Sequence, residues 1–207
     1  MPLPIIYVDE HLIVLDKPSG LLTEPGLGPL LADCLLARVE REYPGARIVH
    51  RLDRDTSGVV VLARDAQTHR ALSAQFRERT VEKRYVAVVF GVVTGESGQM
   101  DAPLIKDFQN PPRHKVDHML GRPALTAWRV TERQVDRTRL ELTPHTGRSH
   151  QLRIHCLDAG HPILGDSLYA PPAALAMADR LLLHAAELSL LHPASGEHLV
   201  WRAPCPF

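Results

Sequence analysis

Short apolar runs separated by polar breaks mark the first part of the chain. Ile5–Val8 and the run at 12–15 flank two acidic residues, which predicts a β-hairpin. An uninterrupted apolar run at 59–63 predicts a buried strand. Asp65 then precedes apolar residues at helical spacing, so we expect it to cap a helix that ends near Arg79.

Periodic segments continue to the end of the chain, and most of them predict strands. The predicted strands cover residues 84–90, 126–130, 138–142, 181–190 and 199–201. Two further helices are predicted at 30–43, with Pro29 in the first turn, and at Gln151–Asp158 before Gly160. Strands outnumber helices without alternating regularly with them. This indicates an α+β fold, a mixed and mainly antiparallel sheet flanked by helices and loops, in one domain over residues 1–207.

Composition excludes several classes of protein. The 207 residues are 44% hydrophobic and 23% charged, which excludes a largely disordered chain, a collagen and a coiled coil. No apolar run approaches the roughly 18 residues of a membrane span, and we see no signal peptide. The three cysteines share no CxxC spacing, so we expect a reducing, cytoplasmic location and no zinc ribbon.

The balanced net charge hides an uneven distribution. Residues 106–155 carry ten basic and five acidic side chains, whereas residues 1–45 carry three basic and seven acidic ones. Of the 24 basic residues 20 are arginine, whose planar guanidinium suits phosphate and stacks on bases. Charge alone favours ordinary solvated faces over nucleic-acid binding.

The segment His-Arg-Leu-Asp-Arg-Asp-Thr-Ser-Gly at 50–58 is the densest group of polar residues before a buried strand. Asp53 in such a turn can act as a nucleophile or a base, or it can only build the turn through bonds to the main chain. Asp53, Asp55 and Ser57 also match the start of an EF-hand loop. That loop needs a glutamate where this chain has Arg64, which argues against calcium.

A second enzyme class shares part of this pattern. Asp53-x-Asp55-x-Ser57 resembles the nucleophile motif of magnesium-dependent aspartyl phosphatases of the haloacid dehalogenase type. Such enzymes need downstream acids for magnesium. Asp166 is a candidate, but the residue four positions beyond it is Ala170. We keep this phosphatase as the alternative function.

The segment at 50–58, followed by an apolar strand, resembles the central motif of the RluA family of pseudouridine synthases. Further resemblances follow in order along nearly the whole chain. They lie at 17–21 (Lys-Pro-Ser-Gly-Leu), 83–87 (Lys-Arg-Tyr-Val-Ala), 146–155 (Thr-Gly-Arg-Ser-His-Gln-Leu-Arg-Ile-His), 160–166 and 181–185. Together they are far more specific than any one motif.

The resemblance implies that the chain isomerises uridine within RNA to pseudouridine, without a cofactor. The base must leave the stack, at a cost of roughly a few kcal/mol. Asp53 would be the essential ionised catalyst, and Arg153 would pair with it. Tyr85 would stack on the flipped base, and Leu183 would pack in the pocket. Whether the aspartate attacks the ribose, adds to the ring or promotes an elimination stays open.

Three basic residues would bind the RNA under the same resemblance. Arg51 would occupy the gap left by the flipped nucleotide, since guanidinium planes stack well on bases. Arg148 and Lys115 would contact phosphates. The histidines at 145, 150, 155 and 161 lack the convergence that zinc needs, so we expect RNA-contacting or structural roles and no metal site.

The RNA substrate is indicated by the segment at 107–116. It resembles most the family's namesake member, which modifies 23S ribosomal RNA and the anticodon stem-loop of certain tRNAs. We expect no S4-like RNA-binding module, since the first motif begins at Lys17, and no membrane or obligate protein partner. A non-catalytic RNA-binding module with the synthase fold is a further hypothesis, against which Asp53, Tyr85 and Arg153 argue.

Overall fold

The computed structural model describes residues 3–26, 28 and 31–207. Its helices and strands follow in chain order. They are β1 (Ile5–Val8), β2 (Leu12–Lys17), α1 (Leu35–Glu42), β3 (Arg47–Ile48), β4 (Ser57–Ala63), α2 (Ala66–Glu78), β5 (Glu82–Phe90), β6 (Ser97–Met100), β7 (Leu104–Lys106), β8 (His114–Val116), β9 (Thr126–Arg133), β10 (Arg137–Pro144), α3 (Gln151–Asp158), α4 (Pro172–Leu175), β11 (Leu183–Leu191) and β12 (His198–Arg202). This mixture of many strands and few helices confirms the α+β prediction.

The chain divides into two compact units. The first comprises residues 1–83 and 184–206. Its strands lie in the order β1, β2, β4, β11 and β12, and β3 also pairs with β4. These pairs are antiparallel except β4 with β11, which run parallel. All seven residues of β4 are buried, as the uninterrupted apolar run predicts.

The core of the first unit lies between this sheet and α2. Its fully or nearly fully buried side chains include Leu12, Val14, Val59, Val61, Leu72, Leu188 and Trp201. Asp65 caps α2 as predicted, because its carboxylate accepts the main-chain N–H groups of Gln67 and Thr68. The predicted hairpin is confirmed too, with β1 and β2 antiparallel.

The predicted helix at 30–43 is shorter than expected. Pro29 and Leu30 lie outside the described residues, Leu31 lies in a 3-10 turn, and residues 32–34 are not helical. α1 begins at Leu35, where the Cys34 sulfur accepts the N–H of Ala37 at 3.3 Å. Thiols are weak acceptors, so the sequence carried no ordinary cap signal at this point.

The second unit comprises residues 84–183 and 207. Its strands lie in the antiparallel order β5, β10, β9 and β6, and β7 pairs with β8 in a separate hairpin. The helix α3 is buried on nearly every side, from Gln151 to Cys156. Leu152 and Cys156 pack with Ala87 and Leu142 of the sheet. A helix this enclosed fixes its polar side chains firmly.

Candidate active site

The loop before β4 carries Asp53 in the first unit. The main-chain carbonyl of Asp53 accepts the N–H of Thr56 at 3.2 Å, which closes a tight turn. Asp53 is half-buried, Leu52 is buried, and Thr56 begins the buried run that continues through β4. The predicted catalyst therefore sits on a short turn that leads directly into the core.

The segment after β2 holds this loop by its main chain. Lys17 is completely buried, and its ammonium donates to the carbonyls of Pro18 at 2.9 Å, Leu21 at 2.6 Å and Arg54 at 2.9 Å. The N–H of Gly20 donates to the same Arg54 carbonyl at 2.9 Å. A buried ammonium surrounded by carbonyls ties the two segments together strongly, since charged hydrogen bonds are the stronger kind.

Two hydroxyls from the same segment complete the attachment. Ser19 donates to the carbonyl of Asp55 at 2.7 Å. Thr23 donates to the carbonyl of Leu52 at 2.8 Å and accepts its N–H at 3.2 Å. Sequence reasoning noted Lys17 and Ser19 only as parts of a motif. The signal available was the Lys-Pro-Ser-Gly-Leu run, but nothing in it says which atoms it holds.

Strand β11 supports the other end of the loop. Ser57 hydrogen-bonds to His184 Nδ1 at 2.8 Å, and His184 Nε2 lies 3.1 Å from the carbonyl of Ala203. Since that carbonyl can only accept, His184 donates from Nε2 and accepts the serine hydroxyl at Nδ1. Gly58 has φ +115°, and a Cβ there would lie 2.2 Å from the carbonyl oxygen of Ala185. The glycine of the motif is required for this close strand contact.

His50 anchors the start of the loop. Its ring stacks on Phe76 of α2 at 4.6 Å between centroids, and its Nε2 accepts the N–H of Val61 at 3.1 Å. Burial lowers the pKa of His50 to about 3, so it is neutral and can accept that bond. Sequence reasoning assigned no specific role to His50.

Arg51 points to solvent beside this anchor. Its guanidinium pairs with the Glu24 carboxylate, and the two side chains are 66% and 43% exposed. An exposed ion pair of this kind stabilises a fold by only about 0–1 kcal/mol. Arg51 can therefore exchange Glu24 for another partner at little cost, as its predicted role requires.

In the second unit, Tyr85 and Leu183 lie in one apolar cluster. Tyr85 is half-buried on β5, opposite Leu142 of β10, and Leu183 is buried. Both pack with Ala87 and Leu152. Their predicted pocket roles are compatible with these positions and stay predictions.

Arg153 makes a buried bidentate ion pair with Asp166. Its Nε and Nη2 donate to the two carboxylate oxygens at 2.8 and 2.7 Å, and the side chains are 3% and 1% exposed. Asp166 also accepts the main-chain N–H groups of Leu168 and Tyr169. The acid that we considered as a magnesium ligand is thus paired with an arginine. The predicted pairing of Arg153 with Asp53 stays a prediction.

The two predicted phosphate contacts lie near the start of α3 and on the β7–β8 hairpin. Arg148 is half-buried, and its Nε donates to the carbonyl of Pro123 at 3.1 Å. Lys115 is exposed on β8. The Tyr169 hydroxyl accepts the N–H of His114 at 2.8 Å and hydrogen-bonds to His150 Nδ1 at 2.6 Å. This hydroxyl therefore connects the hairpin to the residue before α3.

Two of the histidines of this unit, His155 and His161, make structural contacts. His155 bonds to the hydroxyl of Thr126 and the carbonyl of Ala102, and burial lowers its pKa. His161 hydrogen-bonds to the carbonyl of Phe90 at 3.0 Å. Across the described ranges, no three His, Cys, Asp or Glu side chains are grouped as a metal would need. Nor does any described helix have the length and hydropathy to cross a membrane.

Comparisons with known proteins agree over most of the chain. A family model described as RNA pseudouridylate synthase matches residues 11–158. A protein named dual-specificity RNA pseudouridine synthase RluA, from Escherichia coli strain K12, is 50% identical over 206 residues, which cover 99% of this chain and 94% of that protein. The protein of the same name from Yersinia pestis is 47% identical over 98% of this chain and 99% of its own length.

A solved structure extends the similarity to the fold. Human RNA Pseudouridylate Synthase Domain Containing 1 matches with a TM-score of 0.84 and 27% identity, covering 100% of this chain and 84% of that one. These matches do not support the phosphatase alternative. The loop of Asp53 and the segment that holds it both fall inside the family match. This chain therefore belongs to the RNA pseudouridylate synthase family, whose members are isomerases that act on RNA.

Proposed function

We propose that this enzyme forms pseudouridine in both 23S ribosomal RNA and the anticodon stem-loop of certain tRNAs. The observation that carries the proposal is the 50% identity, over almost the whole chain, to a relative named for dual specificity. The exposed hairpin that carries Lys115 lies in the segment whose sequence resembles the dual-specificity member most. The cytoplasm, where these RNAs are found, is the proposed location, and the two units together form the proposed catalytic domain.

Asp53 is the proposed catalyst. The reaction breaks the bond between N1 of uracil and the ribose, rotates the base and joins C5 to the ribose carbon. The C5 proton leaves and N1 gains one, so the reaction consumes no oxidant and no energy source. A loop whose main chain is bonded on both sides of Asp53 supports this role, because it fixes the main chain from which the carboxylate projects.

The other site residues have proposed roles that follow from their environments. Tyr85 stacks on the flipped uracil and Leu183 forms an apolar wall, which suits their shared cluster. Arg153 keeps Asp53 ionised, and Asp166 holds the guanidinium in position for that task. Asp166 is thus a positioning residue, whereas sequence reasoning considered it as a metal ligand and as the last residue of the motif at 160–166.

Three basic residues have proposed contacts with RNA. Arg51 leaves Glu24 and fills the space of the flipped nucleotide. Its high exposure and weak pairing support this exchange. Arg148 and Lys115 bind phosphates beside the hairpin. No metal or cofactor is part of the proposal.

The test compares Asp53→Asn with Asp55→Asn, a matched control in the same loop. Each protein is incubated, with EDTA, with 23S RNA and with anticodon stem-loop transcripts, and new pseudouridines are mapped by nucleotide. We expect product in both RNAs from the unchanged enzyme and from Asp55→Asn, and none from Asp53→Asn at an unchanged Tm. Product from Asp53→Asn would remove the proposed role of Asp53, and product in one RNA only would remove dual specificity.

A further inference from the structure

Two segments of the first unit share the pattern Asp-x-x-Thr but bond differently. In the segment at 65–68, the Thr68 hydroxyl donates to the Asp65 carboxylate at 2.6 Å. In the segment at 53–56, the main-chain N–H of Thr56 donates to the main-chain carbonyl of Asp53 instead. The Thr56 hydroxyl oxygen is buried and has no hydrogen-bond partner among the residues that the structure describes. The two segments therefore differ in the threonine hydroxyl, which is hydrogen-bonded at Thr68 and buried without a partner among the described residues at Thr56.

A buried hydroxyl without a partner is unfavourable, because it loses its bonds to water without replacement. Large majorities of buried polar side-chain atoms do have a partner, so an exception calls for a physical reason. Thr56 is only 2% exposed, and valine has almost the same shape without the hydroxyl. For stability alone, valine would be the better residue. The threonine lies three positions after Asp53, which suggests that its hydroxyl serves the reaction.

We propose that Thr56 is a positioning residue whose hydroxyl donates to the Asp53 carboxylate while the uridine reacts. Asp65 and Thr68 show that this spacing allows the bond within one turn. The main chain of the Asp53 loop is bonded at Leu52, Arg54 and Asp55, so the loop stays in place, and in the proposal only the Asp53 side chain turns towards Thr56. The bond would fix which carboxylate oxygen faces the ribose and uracil. This inference rests on the proposed role of Asp53.

The test uses Thr56→Val and Thr56→Ser, with Thr68→Val as the matched control. Each variant is characterised by its Tm and by kcat and KM on the stem-loop RNA. Thr56→Val should lower kcat about ten- to hundredfold, the loss expected for one hydrogen bond to a charged group, with KM nearly unchanged. Its Tm should be no lower than that of the unchanged protein. Thr56→Ser, which keeps the hydroxyl, should retain most of the kcat.

Thr68→Val should give the opposite pair of results. It removes a cap interaction of α2, so its Tm should fall while kcat stays unchanged. A Thr56→Val enzyme with unchanged kcat would overturn the inference. So would loss of folding in Thr56→Val but not in Thr56→Ser, which would show that the hydroxyl is structural. An active Asp53→Asn enzyme would instead refute the proposed catalyst itself.

Discussion

Replacing Lys17 by methionine tests how the Asp53 loop is held. Methionine keeps most of the length of the lysine side chain but cannot donate a hydrogen bond. The substitution deletes the bonds from the ammonium to the carbonyls of Pro18, Leu21 and Arg54. The Arg54 carbonyl keeps the N–H of Gly20. The Leu21 carbonyl loses a bond that is fully buried, which is the costly part of the change.

The magnitude follows from two opposing effects. Bonds to a charged donor contribute about 1.5–3 kcal/mol each, and a buried carbonyl left without a donor costs about 1–3 kcal/mol. Removing the ammonium also removes the cost of burying a charge, which offsets part of this loss. We expect a net loss of about 2–3 kcal/mol in the free energy of unfolding. For a chain of this length that lowers the Tm by about 4–12 °C.

Thermal unfolding and single-turnover pseudouridine formation measure the two consequences. Because Arg54 follows Asp53 directly, Lys17→Met should also lower the rate of the folded enzyme. Lys106→Met, at an exposed lysine, is the control for stability and should leave the Tm within about 1 °C, as surface substitutions do. A Lys17→Met protein with an unchanged Tm and an unchanged rate would refute the reasoning that this ammonium holds the loop.

Three further predictions test the surroundings of His50, Cys156 and Arg51. The folded pKa of His50, about 3, lies below its ordinary 6.5, so between these values the unfolded chain binds more protons and stability falls as pH falls. His50→Phe, which keeps the stacking, should remove about 2 kcal/mol of this pH dependence between pH 7 and 5 in urea melts, since the slope approaches about 1.4 kcal/mol per pH unit only well below pH 6.5. Burial raises the pKa of the Cys156 thiol to about 12, so a thiol reagent at pH 8 should label half-exposed Cys205 and reach Cys156 only after unfolding. Arg51→Ala should slow turnover while the Tm changes by less than about 4 °C, and a large fall in Tm with normal turnover would contradict its proposed role.

The sequence predicts the parts of the fold whose pattern is strong and local. The β1–β2 hairpin, the buried strand β4 and the capped helix α2 each follow from apolar spacing and a turn or cap residue. The helix α3 is predicted with its observed bounds, although it is buried on nearly every side. In these places local preference and tertiary packing agree, so a single sequence is informative.

Elements that depend on distant partners are not predicted. The strands β3, β6, β7 and β8 have two to four residues, too few to show a period, and pairing with neighbouring strands defines them. The helix α4 was also missed, because its four residues are too few to show a helical period. The prediction for α1 began too early because Leu31 and Ala32 fit the apolar spacing, although both are exposed and lie before the helix. An element is therefore predicted correctly when it has a clear local pattern of apolar and turn residues, and its position in the chain does not matter.

For the candidate site too, the sequence predicts some residues and misses the contacts of others. Motif resemblance identifies Asp53, Arg51 and Tyr85, since these are residue types that the chemistry uses. It does not identify which atoms Lys17 and Asp166 bind, namely the carbonyls beside the Asp53 loop and the guanidinium of Arg153. Their roles arise from carbonyls and guanidiniums that come together only on folding.

The bonds that fix residues 52–55 of the Asp53 loop use main-chain atoms of the loop, whereas His50 and Ser57 hold its two ends through their side chains. The carbonyls of Leu52, Arg54 and Asp55 accept them, and Lys17 with two hydroxyls of the same segment donates them. Substituting a side chain at residues 52–55 therefore leaves these main-chain hydrogen bonds intact. Substituting Lys17 removes some of them. We therefore expect substitutions in the loop to lower activity at an unchanged free energy of unfolding. Substitutions in the segment that holds the loop should lower both. This arrangement also explains why the turn tolerates the buried Thr56 hydroxyl, which has no partner among the described residues. The bonds from the Lys17 segment stabilise the loop and offset that cost.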